Sequence, residues 1–259
     1  MRKTSCSVFL IIIGVITYAQ DFSAYQKKWI VQASDTMPYR LLLPENYDAT
    51  KTYPVIFFLH GSGERGNDNE KQLTHGASLF LKPELRKKFP AIVIFPQCAG
   101  AGYWSNVLRT FDQEQKITYN FIAGGEPTAD MRMLQQLVMY ILKTYPVKKD
   151  QVYVGGLSMG GMGTYELVRR TPGIFAAAFP ICGGAVPSTA KAMNRVKWWI
   201  FHGGKDDVVD ASFSRNITEA LKKEKASVRF TLYPGANHNS WDSALAEPEL
   251  LAWLFAQYR

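Results

Sequence analysis

The segment that most limits what this chain can become is Val152-Tyr153-Val154 followed by Gly155-Gly156-Leu157-Ser158-Met159-Gly160-Gly161. A strand-forming run that passes straight into a helical stretch, residues 162–168, leaves the serine on a sharp turn. Side chains two positions to either side would crowd that turn, and Gly156 and Gly160 stand there instead. The turn drives the serine backbone into sparsely populated φ/ψ space and lifts its Oγ clear at the end of a strand. The free amides and positive dipole end of the following helix favour negative charge at the same point. A phosphate is the other occupant of such turns, but no Gly-Lys-Ser/Thr follows and G-x-G-x-x-G is absent here. Ser158 is therefore expected to be a nucleophile.

Around this turn the chain alternates in kind. Short apolar, β-branched or aromatic runs at residues 28–33, 39–43, 55–59, 92–95, 152–154, 176–180, 198–201 and 229–233 read as strands. Helical period covers 129–143, 160–169, 213–223 and 249–258. The first of these helices has Thr128 as N-cap and Met131, Leu134, Val138, Ile141 and Leu142 on one face; the last turns Leu250, Leu251, Leu254 and Phe255 inward. Two strands without a helix between them, then alternation, predict an α/β fold: a mixed sheet with helices on both faces. With 259 residues, 47% of them hydrophobic, residues 20–259 suffice for a single domain. Residues 99–127, with Tyr103, Trp104, Phe111, Tyr119, Phe121 and Gly124-Gly125, show little period and read as a functional loop.

The amino terminus has the pattern of a signal peptide: Arg2 and Lys3, an apolar run over 8–16, then Thr17 and Ala19 before Gln20. The apolar run is shorter than the roughly 18–20 residues that span a bilayer, so cleavage after Ala19 is expected, with no stable membrane insertion afterwards and a secreted or periplasmic product. Losing residues 1–19 removes two basic and no acidic residues, taking the formal charge from +8 to +6. The remaining basic runs read as solvated helix faces, and no stacking-aromatic module accompanies them, so nucleic acid is not an expected partner. His60, His75, His202 and His238 are widely spaced and no metal-ligand motif occurs. Neither metal nor cofactor is expected.

The partners of Ser158 follow by elimination. In strand–turn–helix serine hydrolases the acid follows the serine and the histidine follows the acid. Only His202 and His238 lie beyond Ser158, and the stretch before His202 offers only Glu166 as a carboxylate, within the helix after the turn. His238 is the expected base. Asp206, just past the strand 198–201, is the favoured acid, with Asp207 and Asp210 as competitors. The Met159 amide is one oxyanion donor, and the loop "HGSGERG" after the strand 55–59 supplies the second, most simply at Ser62. His60 is expected to shape that loop, and Glu64 and Arg65 to form a structural ion pair.

Five ordered blocks, "LHGSGERGNDN", "FPQC...YW", "VYVGGLSMGGMGTYEL", "FHGGKDDVV" and "YPGANHNSW", resemble the secreted α/β-hydrolase esterases. In particular they resemble the predicted-peptidase or phospholipase/carboxylesterase-like group, which is similar to the feruloyl and acetylxylan esterases of carbohydrate esterase family 1. The resemblance runs over nearly all of residues 25–258. It implies the α/β-hydrolase fold, a mostly parallel eight-stranded sheet, and a triad of Ser158, Asp206 and His238, with Asp206 at the acid position of the pattern H-G-x-x-D-x-x-V. The implied strand order puts Cys98 and Cys182 three strand spacings apart, about 14 Å, beyond disulfide reach. Tyr103 and Trp104 either line an aromatic acyl pocket or cover the sheet edge. The implied activity is hydrolysis of small, acetyl or feruloyl-type esters, free or linked to polysaccharide. The alternative is a serine peptidase of prolyl-oligopeptidase-like type acting on short peptides. A binding protein without chemistry is disfavoured, because all three triad residues are present.

Overall fold

The computed structural model describes residues 20–111, 113–114 and 117–259. The leader expected over residues 1–19 lies outside the described residues. Strands β1 (Gln26–Gln32) and β2 (Asp35–Leu42) pair antiparallel, from Gln26 opposite Leu41 to Gln32 opposite Asp35. Next come β3 (Tyr53–Leu59), three short 3-10 turns, α1 (Pro83–Lys88), β4 (Ile92–Pro96), β5 (Val107–Phe111), β6 (Ile117–Phe121) and α2 (Ala129–Thr144). The remainder is β7 (Val147–Leu157), α3 (Met159–Arg170), β8 (Ala177–Ile181), β9 (Lys197–Gly203), α4 (Ser212–Lys223), β10 (Val228–Tyr233), α5 (Trp241–Leu245) and α6 (Leu250–Phe255).

Eight of these strands form one sheet in the order β1-β2-β4-β3-β7-β8-β9-β10, parallel from β4 through to β10. Both faces are covered, which is why β3 is an unbroken apolar run instead of an alternating one. Val55, Phe57 and Leu59 pack with Leu134 of α2, Val168 of α3 and Leu221 of α4. Ile56 and Phe58 face the opposite way, with Phe80 from the third 3-10 turn, Ala244 of α5 and Leu254 of α6. Each fully buried Leu or Phe contributes roughly 1.5–3 kcal/mol. Thr128 caps α2, its hydroxyl accepting the Met131 amide at 3.1 Å. Among the described residues no helix is long and apolar enough to cross a membrane.

Register decides where the loops meet. Leu59 pairs with Gly156, Leu157 with Ile181, Ile181 with Phe201, and Gly203 with Tyr233. The carboxyl ends of β3, β7, β9 and β10 are therefore level, and the loops that leave them emerge side by side. Cys98 and Cys182, after β4 and β8, are free thiols, both wholly buried.

Two expectations about residues 99–127 need correction. The segment is not simply irregular: β5 and β6 pair antiparallel as a separate hairpin, Val107 opposite Phe121 and Phe111 opposite Ile117. Within these two strands only Tyr119 is buried, so the alternation that marks a half-buried strand is missing from the sequence. The hairpin rests on Met162 of α3 and Phe213 of α4. Trp104, in turn, has no exposed surface. Its indole N–H donates to the His60 carbonyl at 3.2 Å and its ring stands edge-on to the His60 ring, so it supports the loop after β3 from below and does not line a pocket. Trp104→Ala should cost about 3–5 kcal/mol of stability. Chemical unfolding checks this, and an equally stable variant with an altered KM for aromatic esters would return Trp104 to the pocket.

Candidate active site

The turn between β7 and α3 is built around steric exclusion. Ser158 has φ 53 and ψ −116, left-handed backbone that an L-residue adopts only under constraint. A Cβ on Gly156 would stand 2.6 Å from the carbonyl oxygens of Gly160 and Leu59, and one on Gly160 would overlap the Leu59 carbonyl. The two glycines thus let the start of α3 press against the end of β3, while the Ser158 amide is anchored on the Ile181 carbonyl at 2.9 Å. Met159, the first residue of α3, has an amide that no carbonyl of its own helix can reach.

The loops after β9 and β10 bring the other two residues to this serine. His238 Nε2 lies 2.9 Å from Ser158 Oγ, and His238 Nδ1 lies 2.8 Å from Asp206 Oδ2. The Asp206 side chain is wholly buried, whereas 17% of the His238 side chain is exposed. Burial opposes the Asp206 charge, yet donors from His202, His238 and the Val209 amide outweigh it and hold the carboxyl well below the ordinary carboxylate range. The competitors are engaged elsewhere. Asp207 Oδ2 accepts the Asn237 side-chain amide at 3.0 Å, and Asp210 Oδ1 accepts the Ser212 amide at 2.7 Å. Asn237 Oδ1 receives both the Asp207 and the His238 backbone amides, which stitches the two loops together. Trp241 stands edge-on to His238 with centroids 5.4 Å apart.

The loop after β3 completes the surroundings. Gly61 packs against Leu157, and Ser62 opens a 3-10 turn, exposed to solvent. His60 does shape this loop. Its Nδ1 donates to the Gly61 carbonyl at 2.6 Å and its Nε2 accepts the Cys98 amide at 2.9 Å. Burial pushes the imidazole down to about 4, which keeps it neutral. Gln97 adds bonds to the Glu64 carbonyl, to Asp68 and to the Asn69 amide, and the buried Arg40 guanidinium holds the Asn69 carbonyl. The expected Glu64–Arg65 pair does not form. Glu64 faces His75 at 3.8 Å, and Arg65 donates to the carbonyls of Ser62 and Gly102.

Two clefts flank the site. One, of about 480 Å³, is walled by Ile117, Tyr119, Val208 and Phe213, with Asp207 and Asp210 among its polar groups. Neither Tyr103 nor Trp104 lines it. Tyr103 lies half-buried under the Arg109 guanidinium with its hydroxyl on Met162 Sδ. The other, of about 270 Å³, lies beyond Trp241 and carries His75, Ser78, Lys82 and Asp242. Among the described residues, Cys182, Asp206 and His238 are the group whose ligand atoms fall within 4.8 Å of one another. Burial pushes the Cys182 thiol far up and Asp206 is already bonded to His238, so a cation there would have to break that pair.

Sequence order separates His202 from any acid, and here the structure differs. His202 Nε2 lies 3.1 Å from Asp206 Oδ2, the oxygen that also meets His238, with a wholly buried ring. An elimination based on chain order cannot find a histidine that precedes the carboxylate it touches. Asn237, Gln97 and Arg40 leave no sequence signal for a related reason: each bridges to a loop distant in sequence.

Known proteins resemble this chain in both sequence and fold. A family model described as Phospholipase/Carboxylesterase matches residues 47–248, a span that includes Ser62, Ser158, Asp206 and His238. The chain is 34% identical over 185 residues to a bifunctional acetylxylan esterase/xylanase of Neocallimastix patriciarum, covering 70% of this chain and 24% of that protein. It is 25% identical over 181 residues to a "Probable feruloyl esterase C" of Aspergillus terreus, covering 69% and 58% respectively. The chain thus spans less than two thirds of either relative. Among solved structures, a thermostable esterase superposes with a TM-score of 0.80 at 30% identity, over 91% of this chain and 64% of that one. The chain belongs to the phospholipase/carboxylesterase family of α/β hydrolases.

Proposed function

We propose that this carboxylesterase works by acyl transfer to Ser158, with His238 as general base and acid and Asp206 as the group that orients the imidazole. The observation that carries the reading is the continuous hydrogen-bonded line from Ser158 Oγ through His238 to Asp206, set on a strained strand–helix turn. Ser158 Oγ attacks the ester carbonyl as its proton passes to Nε2, and the imidazolium that forms is stabilised by the Asp206 carboxylate. The oxyanion is received by the amides of Met159 and Ser62, aided by the amino end of α3. His238 then protonates the leaving alcohol, and water, activated by the same imidazole, releases the acid and frees the serine.

We assign the substrate as a small acetyl or feruloyl-type ester whose alcohol is carbohydrate-linked. The aromatic and aliphatic wall formed by Tyr119, Ile117, Val208 and Phe213 suits a flat apolar acyl group. The cleft beyond Trp241, with a cation, an anion and hydroxyls, suits an uncharged polyol on the leaving side. The relatives named as acetylxylan and feruloyl esterases point the same way. Export to the periplasm or medium is part of this proposal, and the recovered protein should begin at Gln20; an intact Met1 terminus on exported protein would refute it.

Hydrolysis of p-nitrophenyl acetate, methyl ferulate and peptide anilides by the protein lacking residues 1–19 tests the activity. Both esters should turn over, with kcat falling about 10⁶-fold in Ser158→Ala. Cleavage of the anilides alone would make the protein a peptidase, and folded protein inert toward all three would end the general esterase reading.

A further inference from the structure

His202 is the penultimate residue of β9, four positions before the candidate acid, and its two nitrogens are both engaged. Nε2 is 3.1 Å from Asp206 Oδ2 and 2.8 Å from the Val209 carbonyl; Nδ1 is 2.7 Å from Ser214 Oγ. Neither group facing Nε2 has a proton to give, since one is a carbonyl and the other a carboxylate held ionised. Nε2 therefore carries the hydrogen, which is donated to the Val209 carbonyl beside the Asp206 carboxylate. Ser214 Oγ in turn lies 3.0 Å from the Gly183 carbonyl. With the hydrogen on Nε2, the neutral ring leaves Nδ1 as an acceptor, and the Ser214 hydroxyl proton then faces Nδ1.

The carboxylate is saturated as a result. Oδ2 faces two imidazoles, His238 Nδ1 at 2.8 Å and His202 Nε2 at 3.1 Å, while Oδ1 accepts the amides of Val208 and Val209 at 3.0 and 2.8 Å and lies 3.0 Å from His238 Nδ1. The two amides restrain rotation of the carboxylate about Cβ–Cγ through Oδ1, and the His202 contact adds a side-chain restraint on Oδ2. The anchoring reaches the nucleophile turn as well, because the Gly183 backbone packs against Gly161 and Met162 in the first turn of α3.

We propose that His202 is a positioning residue for the esterase reaction. Its Nε2–H fixes Asp206 so that Oδ2 faces His238 Nδ1, and Ser214 fixes the ring that does so. The inference rests on the reading of Asp206 as the acid of the triad. His202 presents neither nitrogen to a cleft and has no exposed surface, so its effect is exerted through Asp206.

The test compares His202→Phe, which keeps the bulk and loses the donor, with His202→Gln, whose amide nitrogen restores a donor near the Nε2 position. Ser214→Ala, which keeps the imidazole but releases it, is the third variant. Each is assayed with p-nitrophenyl acetate after active-site titration, alongside Tm and the far-downfield proton NMR signal of His238 Nδ1–H. His202→Phe should lose roughly 10- to 100-fold in kcat, on the scale found when hydrogen-bond partners of metal-bound histidines are removed, with KM little changed. The Nδ1–H signal should move or broaden, His202→Gln should recover much of the loss, and Ser214→Ala should fall between. A Tm drop with kcat per titrated site and the Nδ1–H signal unchanged would overturn the proposal. Should His202→Phe fail to fold, a kcat and an Nδ1–H signal both unaltered in Ser214→Ala would do the same. Asp206→Asn is run in parallel: its inactivity supports the underlying reading, and full activity in that variant would overturn both together.

Discussion

The structure turns on a steric constraint at the end of two neighbouring strands. For α3 to begin where β7 stops, its first turn must lie against the carbonyls of Leu59 and His60, a space that admits no Cβ at position 160. Backbone strain of the kind held at Ser158 costs on the order of 1–3 kcal/mol and persists only where the surroundings over-determine it. Here β7 is flanked by β3 and β8, both wholly buried, and the Ser158 amide is tied to Ile181. A sheet with helices on both faces supplies that rigidity, and its level carboxyl ends deliver the remaining loops to the same place.

The four histidines illustrate how one side chain takes four functions from its surroundings. His60 is buried and neutral, and its two nitrogens define the path of the loop after β3. His75 lies at the surface between Glu64 and Trp241. His202 and His238 share one carboxylate, one sealed inside and one partly open to solvent. Only the open one reaches Ser158. In the proposed chemistry a buried carboxylate kept ionised by its donors is what allows the exposed imidazole to take and return a proton.

Much of this architecture is legible in the amino-acid sequence. Glycines at 156 and 160 report a space that excludes side chains, and the buried strands report themselves as apolar runs; all eight strand segments read from the sequence lie in the main sheet, though β7 begins five residues earlier than its apolar core suggests. What escapes is whatever depends on partners distant in the chain. The β5–β6 hairpin has too little buried surface to leave a period, the chemistry of Trp104 says nothing of what covers it, and the contact of His202 with Asp206 runs against the chain order that assigns the roles. The Glu64–Arg65 pair does not form because Arg65 leaves the 3-10 turn with extended backbone, and each side chain meets a different partner.

The most direct test of the central claim is covalent labelling with a fluorophosphonate followed by peptide mass spectrometry. The account predicts a single adduct, on Ser158, whose rate of formation collapses in His238→Ala and falls sharply in Asp206→Asn. Labelling at another residue, or labelling of Ser158 at an undiminished rate without His238, would contradict it.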